Sequence, residues 1–393
     1  MRRVAIVAMQ LALGILVAEV LLHLWNPIPF RVKGNHIVLR RHDTNEFRNP
    51  ASDKLDAHVR YRTNSLGFRG PEPPRDLAAR LSILTVGGST TGCFLLNDGD
   101  TWPDRLSAQL GREFPRLWLD NAGIDGQSTY GHLTLMRDYV VHIRPRVVVF
   151  LIGINDVALS ASNWFDARVT DQVVGRHELA ADWLVTHSEL AAIAQNAWRA
   201  WRARAYGLTQ AETNYSALPE VGSDAAAAEQ QARAGVPAFA ARVAELIDVS
   251  RSQGILPVLV TQPALYGDGR DPSTGIDFSQ RRVNDVGGGD AAWRMLEFYN
   301  AATRTAGANA HLVVIDLARE LPKDSRYFYD FVHFSKAGAA KVADIVYAHL
   351  RPALVEWCRT GTIAVGCERQ RTNPTTPPHS VCILAVEPGV LVA

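Results

Sequence analysis

"RVVVFLIGIND", residues 146–156, decides the fold. Val147 to Ile152 are all β-branched, aromatic or aliphatic, with no polar residue alternating among them. A strand apolar on both faces belongs inside a parallel sheet covered on both sides. It stops on Gly153, and Asn155 and Asp156 follow at once. Working outward, four more short apolar runs have the same character: "LSILTV" from residue 81, "RLWLDNAG" from 116, "ILPVLVTQ" from 255 and "HLVVIDLA" from 311. Helical periodicity fills the intervals, over residues 102–114, 128–142, 236–252, 291–306 and 336–349. Strands alternating with helices of this length predict an α/β fold, a parallel sheet with helices on both faces and right-handed crossovers.

In such a sheet the functional crevice lies at the carboxyl ends of the strands. Those ends carry Gly87-Gly88-Ser89, then Asn121, Gly123 and Gly126, then Gly153, Asn155 and Asp156; Asp330 and His333 stand before the last helix. Three readings compete for "ILTVGGSTTG", residues 83–92: a phosphate loop, a nucleophile on a turn, or a plain connection. A phosphate loop requires Gly-Lys-Ser/Thr, but Cys93 and Phe94 follow Gly92. The Gly-x-Ser-x-Gly elbow fails because Thr91 holds its last glycine position. A serine hydroxyl becomes a nucleophile only when a base takes its proton, and that base is a histidine steadied by a carboxylate. Among twelve histidines only His333 has an aspartate three residues earlier, in "DFVH". A developing oxyanion needs fixed donors, which Gly126 offers through its backbone N–H and Asn155 through its amide. Singly, Asn155 also suits a helix N-cap and Gly126 a turn of positive φ. The four groups together, at matching strand ends, favour the nucleophile.

These blocks resemble the SGNH hydrolases, the GDSL esterase family. "GGST" stands for the serine block, "NAGIDGQST" for the glycine block, "GIND" for the asparagine block and "DFVH" for the aspartate–histidine block. One departure is Gly88, where the family carries the aspartate of its name. The resemblance, over residues 81–350, implies a flavodoxin-like three-layer α/β/α sandwich of about five strands. It implies a serine esterase with Ser89 as nucleophile, His333 as base and Asp330 as its orienting acid. Ser89 and Gly126 N–H groups and the Asn155 amide would form the oxyanion hole, and no cofactor is implied.

The rest of the chain sets the context. "MRRVAIVAMQLALGILVAEVLLHLW", residues 1–25, has two arginines and then an apolar run about as long as a bilayer is thick. The arginines place the N-terminus in the cytoplasm and the remainder outside it, as a single-pass anchor; a cleaved signal segment is the rival reading. Residues 26–80 read as an extended connector in which "NSLGFRG", 64–70, looks like a strap bracing the first strand, with a place on the substrate rim as the alternative. Residues 157–235, with Trp164, Trp183, Trp198 and Trp201, read as a partly helical insertion over the site, its tryptophans read chiefly as core packing, with stacking on sugars the alternative. Residues 266–280 are long enough for a rim, and 351–393 read as an irregular tail. Cys358 and Cys367 lie close enough to pair in an oxidising compartment. A formal net charge of +1 gives no case for nucleic acid, and no Cys-x-x-Cys or His-Glu-x-x-His suggests a metal. The expected substrate is an ester on an extracytoplasmic carbohydrate. A lipid ester, acyl transfer from the same serine, and a non-catalytic glycan-binding role are the alternatives.

Overall fold

The computed structural model describes residues 2–25, 28, 32–34, 36–158, 183–205, 210–221, 225–267, 269–283 and 287–368. Trp164, Cys382, residues 159–182 of the expected insertion and the tail after 368 lie outside the described residues. Five strands form the central sheet: β1 (Leu81–Gly87), β2 (Leu117–Asn121), β3 (Val147–Ile152), β4 (Leu256–Thr261) and β5 (Val314–Ile315). Their order is β2-β1-β3-β4-β5, all parallel. The order reverses between β1 and β3, the switch point where a doubly wound sheet opens a crevice.

The alternation within β3 explains the sandwich. Val147, Val149 and Leu151 join one core with Trp102, Leu106 and Leu110 of α2 (Trp102–Gly111) and Val342 and Val346 of α7 (Lys336–Arg359). Val148, Phe150 and Ile152 join the other, with α3 (Thr129–Leu135), α5 (Ala226–Ser252) and α6 (Gly289–Asn309). A strand with two apolar faces is thereby buried on both. Two further helices, α1 (Arg2–Leu24) and α4 (Glu189–Ala205), stand apart from this sandwich.

Pro257 sits inside β4, opposite Val148 of β3. Proline lacks the N–H of a ladder bond, so it needs an unpaired flank. Leu256 N–H points to β3, donating to Arg146 O, and Leu259 N–H points the other way, to Val313 O. Pro257 therefore turns its missing donor to the β5 side, where pairing begins only at Leu259.

Two helices outrun the sequence reading. The one expected from residue 236 begins at Ala226 and carries Pro237 inside it. Proline at a first turn is the usual reading, but the alanine-rich stretch before it has high helix propensity, and Ala232 is buried. The last helix, expected to stop near 349, runs through Pro352 to Arg359 because Leu350 and Leu354 are fully buried against the core. The connector is also more ordered than its composition suggests. Val32–Lys33 pairs with His36–Ile37, and Thr44–Arg48 pairs with His58–Arg62, both antiparallel. Cys358 and Cys367 are joined, Cα atoms 5.6 Å apart.

Candidate active site

β1 ends at Gly87 and the chain enters a single helical turn, Ser89–Gly92, closed by Cys93 in the left-handed region at φ 50°. Ser89 is buried, with 8% of its surface exposed. Its Oγ lies 2.7 Å from His333 Nε2, and His333 Nδ1 lies 2.6 Å from Asp330 Oδ2. The Asp-x-x-His spacing works because the turn folds back on its own aspartate: Asp330 Oδ1 accepts from Val332 N–H at 2.9 Å and from His333 N–H at 2.7 Å. The Tyr329 ring stacks on the imidazole, centroids 5.5 Å apart and nearly parallel at 7°. Burial pulls the His333 pKa down. Asp330, by charge and hydrogen bond, and Asp125, by charge, pull it up and prevail, so it lies above the ordinary imidazole value.

Two of the expected oxyanion donors, the Asn155 amide and Gly126, meet beside Gln127. Asn155 follows β3, and its Nδ2 donates to Gln127 O at 2.8 Å. A Cβ placed on Gly88 would fall 2.4 Å from that nitrogen, so the amide lies against the turn that presents Ser89. This accounts for the departure at position 88. Its φ of −84° is not one reserved for glycine, but the Asn155 amide lies within the space a side chain needs. Gly126, one residue before Gln127, has φ 77°, a conformation that favours glycine.

Several supporting contacts could not be read from the sequence. Asp156 is buried and takes hydrogen bonds from Thr129 Oγ1 at 2.5 Å and Arg242 Nη2 at 3.1 Å, tying β3 and its Asn155 to α3 and α5. Tyr215, inside the expected insertion, donates to Asp330 O at 2.9 Å, and Thr213 N–H donates to Tyr329 O at 2.8 Å. Tyr329 OH closes the clamp by donating to Gln210 Oε1 at 2.8 Å. Tyr215 follows a stretch without periodicity, so only its three-dimensional neighbours reveal it. Trp183, Trp198 and Trp201 lie on or just before α4, which meets α1, residues 32–33 and Val38, away from this clamp.

The strap expected along the first strand pairs instead with the second, and only its guanidinium reaches the turn after β1. Arg69 N–H and C=O pair with Asn121 at the end of β2, and Phe68 is buried behind them. The Arg69 guanidinium, 2% exposed, donates to the carbonyls of Gly92 (3.0 Å), Cys93 (2.8 Å) and Leu96 (2.6 Å) and pairs with Asp98. It therefore satisfies the carbonyls that the Ser89 turn leaves open.

A parallel three-layer sandwich with serine, imidazole and carboxylate in series at its switch point is, by class, a serine hydrolase. The model of the GDSL-like Lipase/Acylhydrolase family matches residues 84–341, and the chain belongs to that family of serine ester hydrolases. Solved structures similar to it include an alpha/beta hydrolase enzyme from the metagenome of Lake Arreo, Spain (16% identity, 69% of this chain and 95% of that chain, TM-score 0.41). An acetyl xylan esterase variant from Geobacillus stearothermophilus is similar at 14% identity, over 68% of this chain and 94% of that chain, with TM-score 0.39. A GDSL-like lipase from Bacteroides thetaiotaomicron is similar at 14% identity, over 72% of this chain and 91% of that chain, with TM-score 0.35. No curated protein matches the chain significantly. Among the described residues, Arg2–Leu24 is one helix long and apolar enough to cross a membrane, as an anchor or as a signal sequence.

Proposed function

We propose that this ester hydrolase works through Ser89, His333 and Asp330 on an O-acyl ester of an extracytoplasmic carbohydrate. The observation that carries the triad is the unbroken relay from Ser89 Oγ through His333 to Asp330. Ser89 Oγ attacks the ester carbonyl as His333 Nε2 takes its proton. Asp330 holds Nδ1–H and stabilises the imidazolium that forms. The N–H groups of Ser89 and Gly126 and the Asn155 amide receive the oxyanion. His333 then returns its proton to the leaving alcohol. Water, activated by the same imidazole, releases the acyl group from Ser89. The placement outside the cytoplasm rests on Arg2 and Arg3 at the start of α1 and is supported by the Cys358–Cys367 disulfide, which persists in oxidising compartments.

The test is p-nitrophenyl acetate hydrolysis and fluorophosphonate labelling of the detergent-solubilised full chain, beside Ser89→Ala. Loss of a triad nucleophile lowers kcat by roughly 10⁶, to background, and labelling should vanish with it. A Ser89→Ala protein that still turns over and labels would remove Ser89 from the mechanism. Acetate released from acetylated oligosaccharides, against fatty acid released from phospholipid vesicles, then decides the substrate class.

A further inference from the structure

The N-terminal helix is joined to the folded domain by more than the chain. Glu19, near the end of α1, turns its carboxylate onto the start of α4. It accepts from the backbone N–H groups of Glu189 and Leu190 and from Ser188 Oγ. A carboxylate in an apolar span is costly unless partnered, and the open amides of a helix N-terminus suit it. The joint continues beyond α1: Lys33 pairs with Glu189 at 2.6 Å, and Asn196 Nδ2 donates to Val32 O at 3.0 Å.

The outer face of α4 is unusual for a water-facing surface. Ala192 is buried in a small apolar cluster with Val185 and Val38, whereas Trp198 is 47% and Trp201 66% exposed. At 3.6 residues per turn, Trp201 lies half a turn round the helix from Ala192. Just before α4, Trp183 is 62% and Leu184 52% exposed. Among the described residues, the large apolar side chains left exposed are confined to residues 4–28 and to these four. Among the described residues, large apolar side chains are thus exposed only on α1, on the segment just after it and on the element docked to it. The α4 sequence ends "NAWRAWRARA", tryptophans among arginines, the composition of a helix that lies in a lipid headgroup layer.

We propose that α4 and the Trp183–Leu184 turn lie in the lipid–water interface beside α1, with Glu19 as the joint. The hydrolase domain is then seated on the bilayer by two elements instead of swinging on one tether. The proposal rests on α1 being a retained membrane span. The test uses the full chain in proteoliposomes containing phospholipids brominated near the headgroup, which quench tryptophan on contact. Trp198→Phe/Trp201→Phe should lose part of the quenchable fluorescence that the unmodified chain shows. Glu19→Ala should lose quenching at the same tryptophans while the protein stays in the bilayer after an alkaline carbonate wash. Undiminished quenching in the double phenylalanine variant would overturn the proposal with the anchor intact. Release of the unmodified protein by carbonate would overturn the anchor, and the proposal with it.

Discussion

Residue by residue, the site is governed by space and charge. Gly88 shows the first: a Cβ at this position would lie 2.4 Å from Asn155 Nδ2, so the family's aspartate would require that amide to shift. Gly88→Ala should therefore displace the Asn155 amide and lower kcat more than it changes KM, approaching the 10²–10³-fold loss typical of removing one oxyanion donor. An alanine variant with unchanged kcat would separate Asn155 from the oxyanion. His333 shows the second. It must be neutral to accept a proton, and Asp330 and Asp125 hold its pKa above the ordinary value near 6.5 despite burial. The acid limb of kcat/KM is expected above that value, with activity lost as pH falls through it. Asp125→Asn removes one raising charge and should move the limb to lower pH; a limb that stays put would assign Asp125 no electrostatic share. The sign for stability is opposite. A raised imidazole pKa stabilises the fold fully below the unfolded value, and that contribution fades as pH rises through the folded one. The pH that activates the base thus gives up part of the stability it confers.

Among the elements, strand ends were legible and their supports were not. β3 announces itself because a strand buried on both faces has no choice of residue, and the chemistry at each strand end follows from where a parallel sheet opens. Helix ends inside an apolar core are less legible: Pro237 and Pro352 resemble boundaries, yet buried neighbours carry each helix past them. The clamp from Gln210, Thr213 and Tyr215 on the Asp330–His333 turn has no local pattern at all, being made between segments more than a hundred residues apart. The strap lies between these extremes. "NSLGFRG" is readable as turns and packing pegs, but that Arg69 caps the Ser89 turn is visible only in three dimensions. Arg69→Ala leaves the Gly92, Cys93 and Leu96 carbonyls without their guanidinium donor and Asp98 with Arg62 alone, so unfolding stability should fall by about 3 kcal/mol, as for buried acceptors left unsatisfied. Lysine should recover little, since it cannot reproduce the planar fork. A urea midpoint unchanged from the unmodified chain would mean that the strap does not brace the turn.

Across the whole molecule, chemistry and staple sit at opposite ends of one strand. β1 delivers Ser89 from its carboxyl end, while the loop closed by Cys358–Cys367 packs at its start, where a Cβ on Gly366 would meet Leu81 N at 2.0 Å. Ile363, inside that loop, is buried in the same core as Leu81. The bond spans a sequence separation of 9, so cross-linking entropy predicts about 2–3 kcal/mol of stabilisation. Because the loop touches β1 at the end remote from Ser89, losing the bond should weaken the fold without altering the relay. Cys358→Ser/Cys367→Ser is expected to unfold at lower urea by that amount while kcat/KM of the folded fraction at 25 °C stays within about twofold, well under the 1.4 kcal/mol that marks a tenfold change. A large fall in kcat/KM at full folding would mean that strain at the start of β1 reaches Ser89, and that the two ends of the strand act as one unit.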